Sequence, residues 1–186
     1  MGQRDILLDI AKTLAVCDVP YLLTGSFAVA YYGYPRATHD IDFIIEVADP
    51  DRSHVPAAIK ILGNAYISDS EHIHNHLAAG REFNLYHKDE GIKVDFWVVK
   101  ANEFAQKYLR KHTIKLNNYR IPLISPEDLL LTKLLWCKEI MSERHFRDCV
   151  GIWKVQGNKL DKNYIEAHAS KLDLNDLFRL VSQENY

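Results

Sequence analysis

Cysteine is scarce and scattered in this 186-residue chain: Cys17, Cys137 and Cys149, an odd count with no CxxC pair. That spacing excludes a disulfide framework and a cysteine zinc site, and points to buried thiols in a reducing compartment. A basic excess is missing too. The net charge is −2, so no global positive field draws the chain to nucleic acid, and only a local patch could. No apolar run approaches the ~20 residues of a membrane span. The opening MGQRDILLDIAKTL carries charges where a secretory signal needs an uninterrupted apolar core. Gly2 follows Met1, but Ile6 stands where a myristoylation motif needs Ser or Thr. Repeats, low-complexity tracts and linkers rich in Gly, Ser or Pro are absent. What is present, 47% hydrophobic and 26% charged residues, is enough apolar matter for one folded domain with a helical annex. The expectation is a cytoplasmic globular protein that engages no membrane.

Ile6, Leu7, Ile10 and Leu14 recur at helical spacing and predict a helix over 3–16. YLLTG (21–25) reads as a short strand closed by Gly25. SFAVAYYG (26–33) reads as a short helix that stops at Gly33. DIDFIIEV (40–47), rich in β-branched residues, predicts a second strand, broken by Asp49-Pro50. Residues 51–62 read as a helix despite Pro56. Residues 82–99 predict a hairpin around Asp89-Glu90-Gly91, and 113–124 another turning at Asn117-Asn118. From Ser125 the pattern changes. SPEDLLLTKLLWCKEI offers an N-cap Ser, Pro in the first turn and two acids after it. Every later segment also reads helical. The predicted fold is mixed α/β (α+β): a small mixed sheet flanked by helices over 1–124, then a helical bundle over 125–186.

Asp40 and Asp42 stand two apart at the head of a predicted strand, so both carboxylates face the same side. Their repulsion needs a counter-charge, and carboxylate oxygens are what Mg²⁺ prefers. Asp95, in KVDFWVV, is also on a predicted strand. Were that strand next to the first, three carboxylates would converge in the arrangement that clamps phosphoryl groups through metal ions. Without that neighbour the acids are a strand cap and surface charges. Gly25-Ser26 lies between a strand and a helix, where backbone N–H groups can meet an anion.

TGSFAVAYYGYPRATHDIDFIIE resembles the nucleotidyltransferase superfamily of the polymerase-β type. That family's motif is a Gly-Gly or Gly-Ser pair heading a helix, an Asp-x-Asp or Asp-x-Glu on the next strand, and a third acid on a later one. PRATHDID, SPEDLLLTKL and RHFRD resemble its small bacterial branch, which includes abortive-infection, toxin–antitoxin and aminoglycoside nucleotidyltransferases. The resemblance covers most of 20–155. It implies that Asp40, Asp42 and Asp95 are catalytic and hold Mg²⁺ or Mn²⁺. It implies that Gly25, Ser26, Arg36 and Lys133 meet a nucleoside triphosphate. A nucleoside monophosphate would pass to an acceptor hydroxyl on an RNA end, a protein or a small molecule. The other reading is a non-catalytic nucleotide-binding or regulatory module that answers to a partner protein, as in a toxin–antitoxin pair.

Some features stay open at this stage. Lys133 serves phosphate or is a solvated lysine on a helix face. Asp148 lines a substrate cleft or, as its i,i+4 spacing from Arg144 favours, forms a helical ion pair with it. His72, His74, His76 and His87 could suggest zinc, but no cysteine is near and the segment reads as an exposed capped helix. Lys100, Lys107, Arg110, Lys111, Lys115 and Arg120, interleaved with Tyr108 and Tyr119, are a solvated face or a polyanion contact.

Overall fold

Period-two burial draws the central strand: Ile41, Phe43 and Ile45 are fully buried, whereas Asp40 and Asp42 are half-buried. The structure, a computed structural model, describes residues 2–47, 49 and 54–184. Along the first part of the chain run α1 (Gln3–Val16), β1 (Tyr21–Leu23), α2 (Gly25–Tyr32), β2 (Asp40–Glu46), α3 (Val55–Leu62) and β3 (Tyr66–Ile67). They are followed by α4 (Ser70–Ala78), β4 (Phe83–His87), β5 (Lys93–Val99), α5 (Ala101–Leu109), β6 (His112–Leu116) and β7 (Tyr119–Leu123). The last third holds α6 (Pro126–Ile140), α7 (Glu143–Gln156), α8 (Lys162–Lys171) and α9 (Asn175–Gln183). Backbone contacts divide the chain into two units, Met1–Ser26 with Thr38–Leu123, and Phe27–Ala37 with Ile124–Tyr186.

The first unit is built on a seven-stranded mixed sheet in the order β3-β4-β5-β2-β1-β7-β6. β2 pairs with β5 and β1 with β7 in parallel; the other neighbours are antiparallel. The mixed sheet that the sequence predicts is therefore the one observed. Register is set by aromatic packing. Phe43, Phe96 and Phe83 stand opposite one another across β2, β5 and β4, with rings stacked at 5.9 and 4.9 Å between centroids. A slip of one residue would turn these rings out of the core, so their burial locks the pairing. The turn at Asn117-Asn118 has positive φ at both residues, as a two-residue hairpin linking right-twisted strands requires.

Two sequence expectations need amendment here. β3 was invisible, because two residues carry no period. The helix expected over 51–62 is observed as Val55–Leu62, with Pro56 in the first turn, where its missing N–H costs nothing. The Pro50 break and residues 51–53 lie outside the described residues.

The second unit is helical. Ser125 caps α6 by accepting from the Asp128 N–H, and Ser142 caps α7 by accepting from His145. Residues 27–37 belong with these helices. The Tyr32 hydroxyl donates to the Ile124 carbonyl, and Gln156 Nε2 donates to the Tyr32 carbonyl. Gly33 lies so close to the α7 backbone that a Cβ there would stand 2.9 Å from the Ile152 nitrogen. No helix among the described residues is long and apolar enough to cross a membrane.

Candidate active site

The parallel pairing of β2 with β5 places Asp42 directly opposite Asp95, and Asp40 opposite Lys93. Registered residues of neighbouring strands share a face and lie ~4.8 Å apart along the hydrogen-bonding direction. All four charged side chains therefore rise from one patch, on the face opposite the phenylalanine stack. Lys93 is the residue that sequence reasoning missed. Its Nζ stands 2.7 Å from Asp95 Oδ1. The period-two rule that joined Asp40 to Asp42 would also have joined Lys93 to Asp95. Burial pushes the Asp95 carboxyl above its ordinary value; the Lys93 hydrogen bond and charge oppose this, while the charges of Asp42 and Asp40 add to it. For Lys93, burial lowers and the Asp95 hydrogen bond raises, and the net direction is up.

Gly25 forms the floor of the same patch. It has φ +61°, and a Cβ built there would lie 1.9 Å from Asp42 Oδ2. Only glycine lets the start of α2 come this close to the carboxylate. The Thr24 N–H donates to the Asp42 carbonyl at 2.9 Å, pinning the end of β1 to that point of β2. Ser26 is buried beside Gly25. The first unit thus brings together Gly25, Ser26, Asp40, Asp42 and Asp95. The donors suit a hard divalent cation: they are carboxylate oxygens, paired across registered strands, over a glycine that leaves room for them. Among the described residues no group of three or more His, Cys, Asp or Glu side chains is placed to hold a metal ion, so Asp40, Asp42 and Asp95 share a face without forming a ready-made ligand set.

This fold has known counterparts. Neither a protein-family model nor a curated protein sequence matches the chain. Among solved structures, ANT(2'')-Ia in complex with adenylyl-2''-tobramycin matches with a TM-score of 0.62 at 13% identity, over 95% of this chain and 99% of that one. The fold is that of the nucleotidyltransferases. The lincosamide antibiotic adenylyltransferase LnuA, lincomycin-bound, matches with a TM-score of 0.55 at 15% identity, over 83% of this chain and 98% of that one. An antigenic nucleotidyltransferase-like protein from Paracoccidioides brasiliensis matches with a TM-score of 0.55 at 16% identity, over 95% and 91%.

The second unit of this nucleotidyltransferase fold gathers its own charges. Arg36 Nε donates to Asp148 Oδ1 at 3.0 Å and its NH2 group donates to Oδ2 at 3.1 Å, a two-pronged pair. Lys133 Nζ stands 3.4 Å from Asp148 Oδ2 and lies over the Trp136 ring. Two sequence readings are corrected here. Asp148 turns to Arg36 and Lys133, not to Arg144, because Asp148 is buried in the bundle while Arg144 is exposed. Lys133 is not a solvated lysine: it is 2% exposed. A buried ammonium needs a partner, and Asp148 supplies it.

His145 adjoins this cluster, its ring 5.4 Å from that of Trp136. Its Nδ1 is buried without a hydrogen-bond partner. Burial, with Lys133 and Arg144 adding positive charge, pulls its pKa down from 6.5 to about 4. The folded state therefore holds His145 neutral while an unfolded chain takes up a proton below pH ~6.5. Stability is expected to fall as pH drops from 6.5 to 4. His145→Asn should flatten the fall, measured by urea unfolding at pH 7 and pH 5. Equal losses in both proteins would show that His145 does not bind its proton differently on folding.

The other sequence candidates gather elsewhere or nowhere. His72 and His76 stack on exposed α4 with ring centroids 3.9 Å apart, and Asp69 caps that helix. His87 is buried in β4 against Tyr66. The basic stretch 100–120 spreads over α5, β6 and β7, with Lys107 near Glu103 and Lys12 over the Tyr119 ring.

Proposed function

We propose that this protein transfers a nucleoside monophosphate from a nucleoside triphosphate to an acceptor hydroxyl, with Mg²⁺ or Mn²⁺ as cofactor. One observation carries the reading: Asp42 and Asp95 face each other in register, over a glycine that leaves no room for a side chain. A structural strand pair gains nothing from like charges placed opposite each other. A site for a cation and phosphates does.

In this reading Asp40 and Asp42 hold the metal, with Asp95 within reach of it. The metal, when bound, supplies charge neutralisation and fixes the phosphate oxygens. The backbone N–H groups at Gly25-Ser26 meet the terminal phosphates. Arg36 serves the triphosphate, its guanidinium held in place by Asp148. Lys133, at present tied to Asp148, is the second candidate cation for the phosphates. Asp95 orients the acceptor hydroxyl and takes its proton. A bond forms between the acceptor oxygen and the α-phosphorus. The bond from that phosphorus to the bridging oxygen breaks, and pyrophosphate leaves with the electron pair. Positioning and charge stabilisation carry the rate. The fold relatives in complex with adenylyl-2''-tobramycin and with lincomycin support a small-molecule acceptor over an RNA end or a protein side chain.

The test combines each of the four nucleoside triphosphates, labelled at the α-phosphate, with Mg²⁺ and separate acceptor panels: aminoglycosides, lincosamides and total RNA. Label is expected on a small molecule, and the metal–nucleotide complex should raise the thermal midpoint. No labelled product, together with an unmoved midpoint at millimolar nucleotide and metal, would overturn the proposal.

A further inference from the structure

α4 buries one stripe, Ile73 and Leu77. One residue ahead of each stands a histidine, so His72 and His76 are also i,i+4 neighbours on one helix face. Their rings are 3.9 Å apart between centroids and tilted by 32°. The end of α4 fixes the second ring. Gly80 has φ +61°, its N–H donates to the Leu77 carbonyl, and the Arg81 N–H donates to the His76 carbonyl at 2.8 Å. This closing turn brings the Glu82 carbonyl to the His76 ring, where it meets Nδ1. A carbonyl only accepts, so Nδ1 carries the proton and the neutral ring keeps its lone pair on Nε2. Histidines that bind metal ions are commonly held this way, with one ring nitrogen donating to a backbone carbonyl and the other left to the ion. His72, one turn earlier, is exposed and stands against the same ring.

We propose that His72 and His76 form a two-imidazole site for a divalent transition ion of the Ni²⁺, Cu²⁺ and Zn²⁺ class. Two bonds of ~2.0–2.1 Å place neighbouring nitrogens on one ion ~3 Å apart, so the observed ring spacing closes with a small rotation of the side chains. Two protein ligands leave the other positions to water or to an external donor, which makes the site an open one. Imidazole nitrogen selects these ions over Mg²⁺, which takes oxygen. The site therefore does not compete for the ion proposed for Asp40 and Asp42, and it shares no residue with them. His74, two positions from each histidine, lies on another face of the helix.

The test titrates Ni²⁺ into the untagged chain by calorimetry, because imidazole holds Ni²⁺ and the ion does not oxidise the three cysteines. In His72→Asn and in His76→Asn the affinity should fall by at least the ~10-fold that a lost second-shell contact costs a metal site. In His74→Asn it should not change. Cu²⁺ added at one equivalent and followed by pulsed electron paramagnetic resonance should show two coordinated imidazoles in the wild type and fewer in His72→Asn and His76→Asn. Ni²⁺ should also raise the thermal midpoint of the wild type more than that of His72→Asn, since the ion binds a pair that only the folded helix assembles. Circular dichroism melting checks each variant, and glutamine takes the place of an asparagine variant that does not fold. Equal Ni²⁺ affinity in wild type and His72→Asn, an equal loss in His74→Asn, or a single coordinated imidazole in the wild type would overturn the proposal. No nucleotide enters these measurements, so their outcome is independent of nucleotidyl transfer.

Discussion

Asparagine in place of Asp95 is expected to leave nucleotide binding within a few-fold and to cut nucleotidyl transfer by roughly 10²-fold or more. Asparagine keeps the shape and removes the charge at the point where the acceptor hydroxyl must give up its proton. The loss then falls on the transition state. Asp42 is different. It lies against Gly25 and beside Asp40 on β2, so Asp42→Asn should weaken metal–nucleotide binding and transfer together. The two variants are compared by a nucleotide titration and a labelled-transfer assay on the same preparations. If Asp95→Asn transfers at the wild-type rate, the third carboxylate is misassigned, and Glu82 or Asp89 at the ends of the same hairpin would be tested next.

Gly25→Ala should be nearly as damaging, for a steric reason. The new methyl group would lie 1.9 Å from Asp42 Oδ2, and the residue has φ +61°. The left-handed conformation alone costs an alanine ~1–2 kcal/mol. The collision cannot be relieved without moving the carboxylate or the start of α2. Transfer is expected to drop by ~10²-fold or more, because a 1 Å displacement at a reacting centre is enough for that. The thermal midpoint should fall with it. The double variant Gly25→Ala/Asp42→Gly separates the two causes. The Asp42 Cβ alone would stand 2.6 Å from the new methyl group, so the whole side chain must go to make room, and the midpoint should then recover in part while transfer stays absent. A Gly25→Ala protein with normal transfer and melting would mean that the turn is free to move, and the close packing would lose its meaning for catalysis.

Local chemistry made much of this legible in the sequence. The period of Ile6, Leu7, Ile10 and Leu14 gives α1 over the residues observed, and Ser125-Pro126 gives the start of α6. The same-face argument for Asp40 and Asp42 needs only strand alternation. The approach of Asp95 to Asp42 is another matter, because it depends on which strands become neighbours, and the two residues stand 53 positions apart in the chain. Sequence gives no local sign of that pairing; the stacked burial of Phe43, Phe96 and Phe83 decides it. The partner of Asp148 was hidden for a similar reason. Helical spacing favoured Arg144, but burial of Asp148 selected Arg36, which is 112 residues away. Helical spacing left Lys133 open between a phosphate contact and a solvated face, and burial removes the second, because α6 buries nearly every face of its first two turns. Lys93 is legible by the same alternation that joins the two aspartates, because it stands two residues before Asp95 on β5.

The phenylalanine stack has a consequence for how the protein can drift under mutation. The spacing of the charges on one side of the sheet is set by contact between rings on the other. A change of ring size at Phe43 or Phe96 would shift Asp42 against Asp95 without touching either. Substitutions that look like ordinary oil-for-oil exchanges would therefore be filtered by the chemistry on the far side, a few ångströms away through the backbone. Such positions should tolerate less variety than their burial alone would demand, and a library randomised there would lose activity well before it lost solubility.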